Sequence, residues 1–314
     1  MTLLPPGARE TFVPAVGGRW RVLEGERSPA GEPAGLGERS LRREPASLEA
    51  TPILLVHGGG YDAAAISWYR LIGPLAAQRR VIAPDLPGCG GTTGVALPGA
   101  PSAAADQLVA LLDELGLDRV VACGVSMGGD IALELALRHP ARLAGLVCIA
   151  PGGLMPSFGS AAMQRLMWLT TRANDRGMAL ISRLSRPLLA RVVRDMVHDP
   201  ATLPPEAVAE FFAEARRPDG GVAHGSYNRA TVGPRGMLND KSGVVGSIHL
   251  PALFFHGRQD GLVSIDGSRR AVAAMPNARL VEVYACGHWA QLEQHDRLLS
   301  ELTAFLAEVD AAPH

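Results

Sequence analysis

The chain has 314 residues, long for one minimal domain and short for two, which fits a single large α/β domain carrying insertions. Hydrophobic residues make up 47% of it, enough for a sizeable core, so a globally disordered chain is excluded. Its 30 basic and 31 acidic side chains leave a formal net charge of -1, with no basic excess to neutralise phosphates, which argues against a nucleic-acid partner.

The first readable strands are 10–16 and 19–24, joined as a hairpin at Gly17-Gly18. Residues 25–50 hold Pro29, Pro33 and Pro45, several glycines and no β-branched or aromatic residue; they read as a flexible insertion that buries little. Ile53-Leu54-Leu55-Val56 is the apolar run of a strand covered on both faces, and 81–83 repeats it. A helix follows over 102–115, stopped by Gly116, then a strand at 119–123. A helix over 127–138, closed by His139-Pro140, leads into a strand at 143–149. Further on, strands at 252–256 and 279–284 flank a helix at 268–274, and a helix over 292–309 ends the pattern. Strands alternating with helices require a mostly parallel sheet flanked on both faces, an α/β fold.

Residues 152–247 break the rhythm. Helices are expected at 161–171, 176–197 and 206–216, with no clear buried strand, and the stretch is rich in Met155, Met163, Met167, Trp168, Met178 and Met196. Adaptable thioethers suit an apolar ligand wall, though packing onto the sheet explains each Met as well. The expected division is a core of 1–151 and 248–314 with a helical cap at 152–247.

Four patterns fall at the C-terminal ends of expected strands, the edge where open α/β sheets place ligands. Gly124-Val125-Ser126-Met127-Gly128 fits G-x-S-x-G between a strand and a helix: a sharp turn exposes the Ser126 hydroxyl, and the helix start offers free N–H groups to developing charge. His57-Gly58-Gly59-Gly60 follows the 53–56 strand; glycines there let backbone amides approach a ligand, while His57 reads as structural. No lysine is present for a phosphate loop. Asp260, in Gly-Arg-Gln-Asp, and His288, in Cys-Gly-His-Trp, follow the next two strands, so Ser126, Asp260 and His288 stand in the chain order of a hydrolytic triad. His256 and His295 are the competing bases and lack the loop position.

Other residues mostly exclude chemistry. Lys241 is the only lysine, in an Asp-Lys-Ser-Gly loop setting that makes a poor desolvated catalytic amine. Cys89, Cys123, Cys148 and Cys286 show neither a C-x-x-C pair nor metal-ligand spacing, so no metal is expected. The first residues lack the basic and apolar parts of a leader, and no run approaches the roughly 18 apolar residues that span a bilayer. The expectation is a cytoplasmic monomer or homodimer without a membrane partner.

In H-G-G-G, D-L-P-G-C-G, G-V-S-M-G-G, G-R-Q-D-G-L-V and C-G-H-W-A-Q-L-E-Q, the sequence resembles the α/β-hydrolase superfamily over 53–309. The string at 286–294 is similar to that of the meta-cleavage-product hydrolases, which cleave carbon–carbon bonds in vinylogous diketone acids. The resemblance implies Ser126, Asp260 and His288 as catalytic residues, the amides of Met127 and Gly59 as an oxyanion hole, and no cofactor. It also implies that Trp289, after the catalytic histidine, shapes the substrate site; Gly58, Gly60, Val125, Trp168, Phe211 and Phe212 are further expected substrate contacts. Two departures stand out: Val125 replaces the usual Asn, and Phe211 or Phe212 stands where a cap arginine would hold an anionic substrate, with Arg216, Arg217 and Arg235 as spatial substitutes. Both favour a small, apolar ester-type substrate over carbon–carbon cleavage. An intact triad also fits a ligand-sensing protein with little turnover.

Overall fold

The apolar and alternating runs become eight strands of one sheet in the computed structural model, which describes residues 3–25, 50–174, 176–177, 180, 183–184 and 186–312. The expected 25–50 insertion, apart from its two end residues, and Met178 lie outside them. Along the chain come β1 (Ala8–Ala15), β2 (Gly18–Gly25), β3 (Ile53–Val56), α1 (Ala64–Ser67), α2 (Ile72–Ala76) and β4 (Val81–Pro84). Next are α3 (Pro101–Glu114), β5 (Val120–Val125), α4 (Met127–Arg138) and β6 (Leu143–Ile149). The described helices that follow are α5 (Ala161–Thr171), α6 (Leu189–Asp195), α7 (Pro205–Arg216) and α8 (Val222–Thr231). The chain closes with β7 (Ala252–Gly257), α9 (Ile265–Ala274), β8 (Ala278–Val283), α10 (Ala290–Glu293) and α11 (His295–Ala311).

The sheet order is β1-β2-β4-β3-β5-β6-β7-β8, with β1, β2 and β4 paired antiparallel in turn and the remaining pairs parallel. Alternation explains why the central strands are apolar throughout. Leu54 and Val56 of β3 join the layer of Leu108, Ile131 and Leu135 on α3 and α4, while Ile53 and Leu55 join Trp68, Leu302 and Phe305 on the opposite face. Truncating a residue such as Leu54 to Ala is worth about 2–5 kcal/mol of stability.

Local differences from the expected bounds have physical causes. The hairpin turns on Val16 (φ 53°) and Gly17 (φ 76°), with Ala15 paired to Gly18, one residue earlier than expected. Two positive-φ residues give a tight turn whose twist suits the strands it joins. The expected 292–309 helix is two, because Gln294 leaves helical geometry between α10 and α11. Of the expected 176–197 helix, α6 is the best described part. Helix α8 had no counterpart among the expected elements. Among the described residues, no helix is long and apolar enough to cross a membrane.

Candidate active site

Ser126 joins β5 to α4 and holds φ 54° and ψ -117°, a conformation that costs an L-residue on the order of 1–3 kcal/mol. The surroundings enforce it. Its N–H donates to the Ile149 carbonyl (3.0 Å), and its carbonyl accepts from Asp130 N (3.1 Å) and Gly152 N (2.9 Å). The flanking glycines are sterically required: a Cβ on Gly124 would collide with the Gly128 carbonyl, and one on Gly128 with the Val56 carbonyl. Strain at one residue is thus fixed by close backbone packing on both sides, and the half-buried hydroxyl stands proud of the turn.

The glycine loop after β3 is braced from below. The fully buried His57 accepts from Leu86 N through Nε2 (2.9 Å), which leaves Nδ1 to donate to the Gly58 carbonyl (2.8 Å). That is the structural role expected for it. Asp62 accepts from Gly58 N (2.8 Å), Ala63 N (2.8 Å) and the Ser67 hydroxyl. Burial pushes its carboxyl up, and His57, Ser67 and the backbone donors partly offset this. The Gly58 amide is thereby committed to Asp62. A Cβ on Gly58 would come within 3.6 Å of Ser126 Cβ, and one on Gly59 within 3.4 Å of Met127 Cβ. The loop and the start of α4 therefore face each other across the serine, with Gly60 in positive φ turning the chain away.

The ends of β7 and β8 supply the polar pair. His288 Nδ1 donates to Asp260 Oδ2 at 2.7 Å, which orients Nε2 away from the carboxylate. Asp260 Oδ1 accepts from Leu262 N (2.8 Å) and Val263 N (2.9 Å). His256, considered beforehand only as a competing base, is a second partner: its Nε2 lies 3.2 Å from Asp260 Oδ2 and its Nδ1 2.8 Å from Ser268 Oγ. Burial raises the Asp260 carboxyl, but the hydrogen bonds from His256, His288 and Val263 N outweigh it and hold the group well below the usual carboxylate range. The histidine loop is clamped in turn: Met196 carbonyl accepts from His288 N (2.6 Å), and Glu293 Oε2 accepts from Gly287 N (2.7 Å).

Other expected contacts are distributed unevenly. Trp289 is buried beside His288 and meets Phe211 of α7 edge to face, centroids 5.3 Å apart, with Phe212 against Phe211. Val125 turns into the core layer with Leu55, Ile149 and Phe255 rather than towards the serine. Trp168 lines a different recess, with Arg165 and residues 233–238. Of the spatial substitutes for a cap cation, Arg217 bonds Glu214 (3.0 Å) and Asp219 (3.1 Å), while Arg216 and Arg235 are exposed.

Three features escaped the sequence reading. His224 of α8 lies against Gly59, so that a Cβ on that glycine would strike its ring; its Nδ1 is buried without a partner, and burial lowers its pKa to about 4. Behind Met127 opens an apolar recess lined by Leu86, Pro98, Ile131, Ala223 and Tyr227. Lys241 does sit in a loop, but buried: its Nζ bonds Asp130 Oδ1 and lies 3.0 Å from Glu134, while Tyr227 OH (2.7 Å) and Asn239 Nδ2 (2.6 Å) donate to Asp130 Oδ2. This knot ties α8 to α4, the helix that follows Ser126.

Known proteins share these features. A family described as the alpha/beta hydrolase fold matches residues 51–294. The chain is 32% identical over 261 residues to a 2-hydroxy-6-oxo-6-phenylhexa-2,4-dienoate hydrolase of Burkholderia cepacia, covering 81% of this chain and 87% of that one. In structure it is similar to the hydrolase of that name from Rhodococcus sp. strain RHA1, with TM-score 0.69, 23% identity and coverage of 96% and 99% of the two chains. It is also similar to a carboxylesterase of Bacillus subtilis, with TM-score 0.70, 20% identity and coverage of 97% and 93%. With its elbow at Ser126 and its mostly parallel eight-stranded sheet, the chain belongs to the α/β-hydrolase fold family and is a hydrolase.

Proposed function

We propose that the protein is a serine hydrolase that cleaves a carboxylic ester of a small, mainly apolar substrate through an acyl-enzyme. The observation that carries this reading is the strained Ser126 facing the glycine loop, together with the His288–Asp260 hydrogen bond at the same sheet edge. With Nδ1–H bound to Asp260, His288 Nε2 is the lone-pair nitrogen that takes the Ser126 proton as the hydroxyl attacks the carbonyl. The amides of Met127 and Gly59 receive the oxyanion, each worth about 2.7–4 kcal/mol of barrier. His288 returns the proton to the leaving alcohol. It then deprotonates a water that releases the acid and restores Ser126.

Residues 152–247 act as the cap. The apolar recess behind Met127 and the Phe211–Trp289 pair favour an uncharged substrate. His224, neutral above its lowered pKa, presents Nδ1 to the substrate from the cap side of the oxyanion loop. Ser126→Ala should abolish both hydrolysis of p-nitrophenyl esters and labelling by a fluorophosphonate probe; undiminished labelling would overturn the assignment.

One observation favours a second reading. The relative named above is by name a dienoate hydrolase, so carbon–carbon cleavage of a vinylogous diketone acid is the alternative. The commitment of Arg217 to Glu214 and Asp219 argues against it, since a dienolate and its carboxylate need a cation. Comparing kcat/KM for such an acid with a series of p-nitrophenyl esters separates the two, and a dominant preference for the acid reverses the ranking.

A further inference from the structure

The recess behind Met127 is built for hydrocarbon. Its walls include Leu86 and Cys89 after β4, Ala104 of α3, Ile131 of α4 and Tyr227 of α8, and no side chain lining it is charged. The Tyr227 hydroxyl is spent on Asp130 at 2.7 Å, and burial pushes the Cys89 thiol up, so both meet a ligand as apolar groups. A polar group entering would lose its water and find no side-chain partner. The cavity measures about 30 Å³. A water-sized group needs roughly 10–15 Å³ on that measure, so two or three carbons fill it. Its rim is tight: a Cβ on Gly88 would come within 2.9 Å of Ala223 Cβ, and one on Gly99 within 3.4 Å of Ser226 Oγ. Helix α8 therefore packs closely along the recess, and the Asp130 knot holds it there.

The recess also stands on a defined side of the nucleophile. Met127, next to Ser126 in the chain, lines it, and Met127 Cβ is 3.4 Å from where a Cβ on Gly59 would stand. The recess therefore begins one side chain from the reacting serine. In the sheet order β4-β3-β5-β6-β7-β8, its walls after β4 and on α3 lie to one side of β5, while His288 and Trp289 follow β8 on the other. The leaving alcohol takes its proton from His288 and so occupies the His288 side. The acyl chain is directed the opposite way, towards the recess.

We propose that this recess is the acyl-chain site and that the substrates are esters of short, unbranched aliphatic acids of about three or four carbons. The assignment rests on ester hydrolysis at Ser126 and adds which half of the ester is read and how long it is. Ala104 and Ile131 are the wall residues whose size sets the room available.

The test is kcat/KM of the full chain for p-nitrophenyl acetate, propionate, butyrate, hexanoate and octanoate. The value should rise about tenfold from acetate to butyrate and fall at least about tenfold from butyrate to hexanoate. Ala104→Val, which adds two methyl groups to the wall, should lower the butyrate-to-acetate ratio about tenfold, and Ile131→Ala should raise the hexanoate-to-butyrate ratio about as much. Each ratio is taken within one preparation, so loss of folded enzyme cancels. Ala104→Val should leave the preference among methyl, butyl and hexyl acetates as in the wild type; a shift there would put the alcohol in the recess and overturn the assignment. So would a flat acyl profile, an optimum at hexanoate or beyond, or ratios that neither substitution moves, and any of these would leave ester hydrolysis at Ser126 standing. A protein that turns over none of the esters would remove that reading and the acyl site with it.

Discussion

The two walls around Ser126 are fastened by different means. On the sheet side, Ser126, Asp260 and His288 sit on loops pinned by backbone hydrogen bonds: three at Ser126, two from 262–263 to Asp260, and the Met196 and Glu293 clamps on the histidine loop. On the cap side, α8 meets the core helix through one charged knot, in which Asp130 receives Lys241, Tyr227 and Asn239. The first arrangement is redundant, as a strained residue needs if it is to keep its conformation. The second concentrates its strength in a few buried polar groups, each of which leaves an uncompensated charge or donor if a partner is lost. The chemical groups should therefore tolerate changes around them, whereas the wall that meets the substrate should fail as a unit.

The sharpest break on the sheet side is Asp260→Asn. An amide in place of the carboxylate no longer fixes the His288 tautomer, and kcat should fall about 10⁴-fold with the fold retained, measured by ester turnover beside circular dichroism. The same carboxylate gives a pH signature. Its folded pKa is depressed, so its stabilising contribution is complete above the ordinary carboxylate value of about 3.9 and is lost as pH falls below it towards the folded value. Urea unfolding of the wild type should weaken over that acid window, and the Asn variant should show a flatter slope there. An equal slope in both would place the acid sensitivity elsewhere.

On the cap side, Lys241→Met removes one end of a buried pair and should lower stability by about 3–5 kcal/mol, read from the urea midpoint. Adding Asp130→Leu should recover part of the loss, because the fully buried carboxylate is then gone and only the partly exposed Glu134 lacks its cation. Tyr227→Phe keeps the ring but withdraws a hydroxyl donor from Asp130, for a loss of about 1–3 kcal/mol. A Lys241→Met variant as stable as the wild type would show that α8 is held by its apolar contacts instead.

The same contrast governs what the sequence could reveal. β3, α4, β6 and α5 lie where periodicity placed them, because apolar runs closed by Gly, Pro or a cap are local signals. The serine elbow was legible for the same reason: Gly124 and Gly128 are forced by clashes that lie within a few residues or one strand away. Helix α8 was not legible, since its sequence, VAHGSYNRAT, carries no apolar stripe and contains Gly225. It is held by Asp130, some hundred positions earlier, and such a partner leaves no mark in a local window. Lys241 misled in the same way: its loop setting was visible, but the carboxylates that bury it were not. Arg217 reads from sequence as a possible substrate cation, and only the fold shows its pairing with Glu214 and Asp219.

The finest test of the cap wall concerns His224, whose effect should be the smallest. Its Nδ1 lies against Gly59, buried and unpartnered, so on the proposed reading His224→Ala should remove one neutral hydrogen bond to substrate. A net contribution of about 0.5–1.5 kcal/mol corresponds to a rise in KM of up to roughly tenfold, with kcat nearly unchanged because Ser126 and His288 are held from the other side. Titration separates this role from a charged one. Burial lowers the His224 pKa to about 4, so the ring is neutral across the working range and the KM ratio of variant to wild type should be constant from about pH 5 to 8. The depressed value also acts on folding: between the ordinary histidine value of about 6.5 and the lowered one, the unfolded chain binds the extra proton, so stability declines as pH falls. The alanine variant should lose that part of the slope. A KM ratio that climbs steeply near neutral pH would mean that His224 meets the substrate as an imidazolium, and the cap would then carry a cation at the substrate.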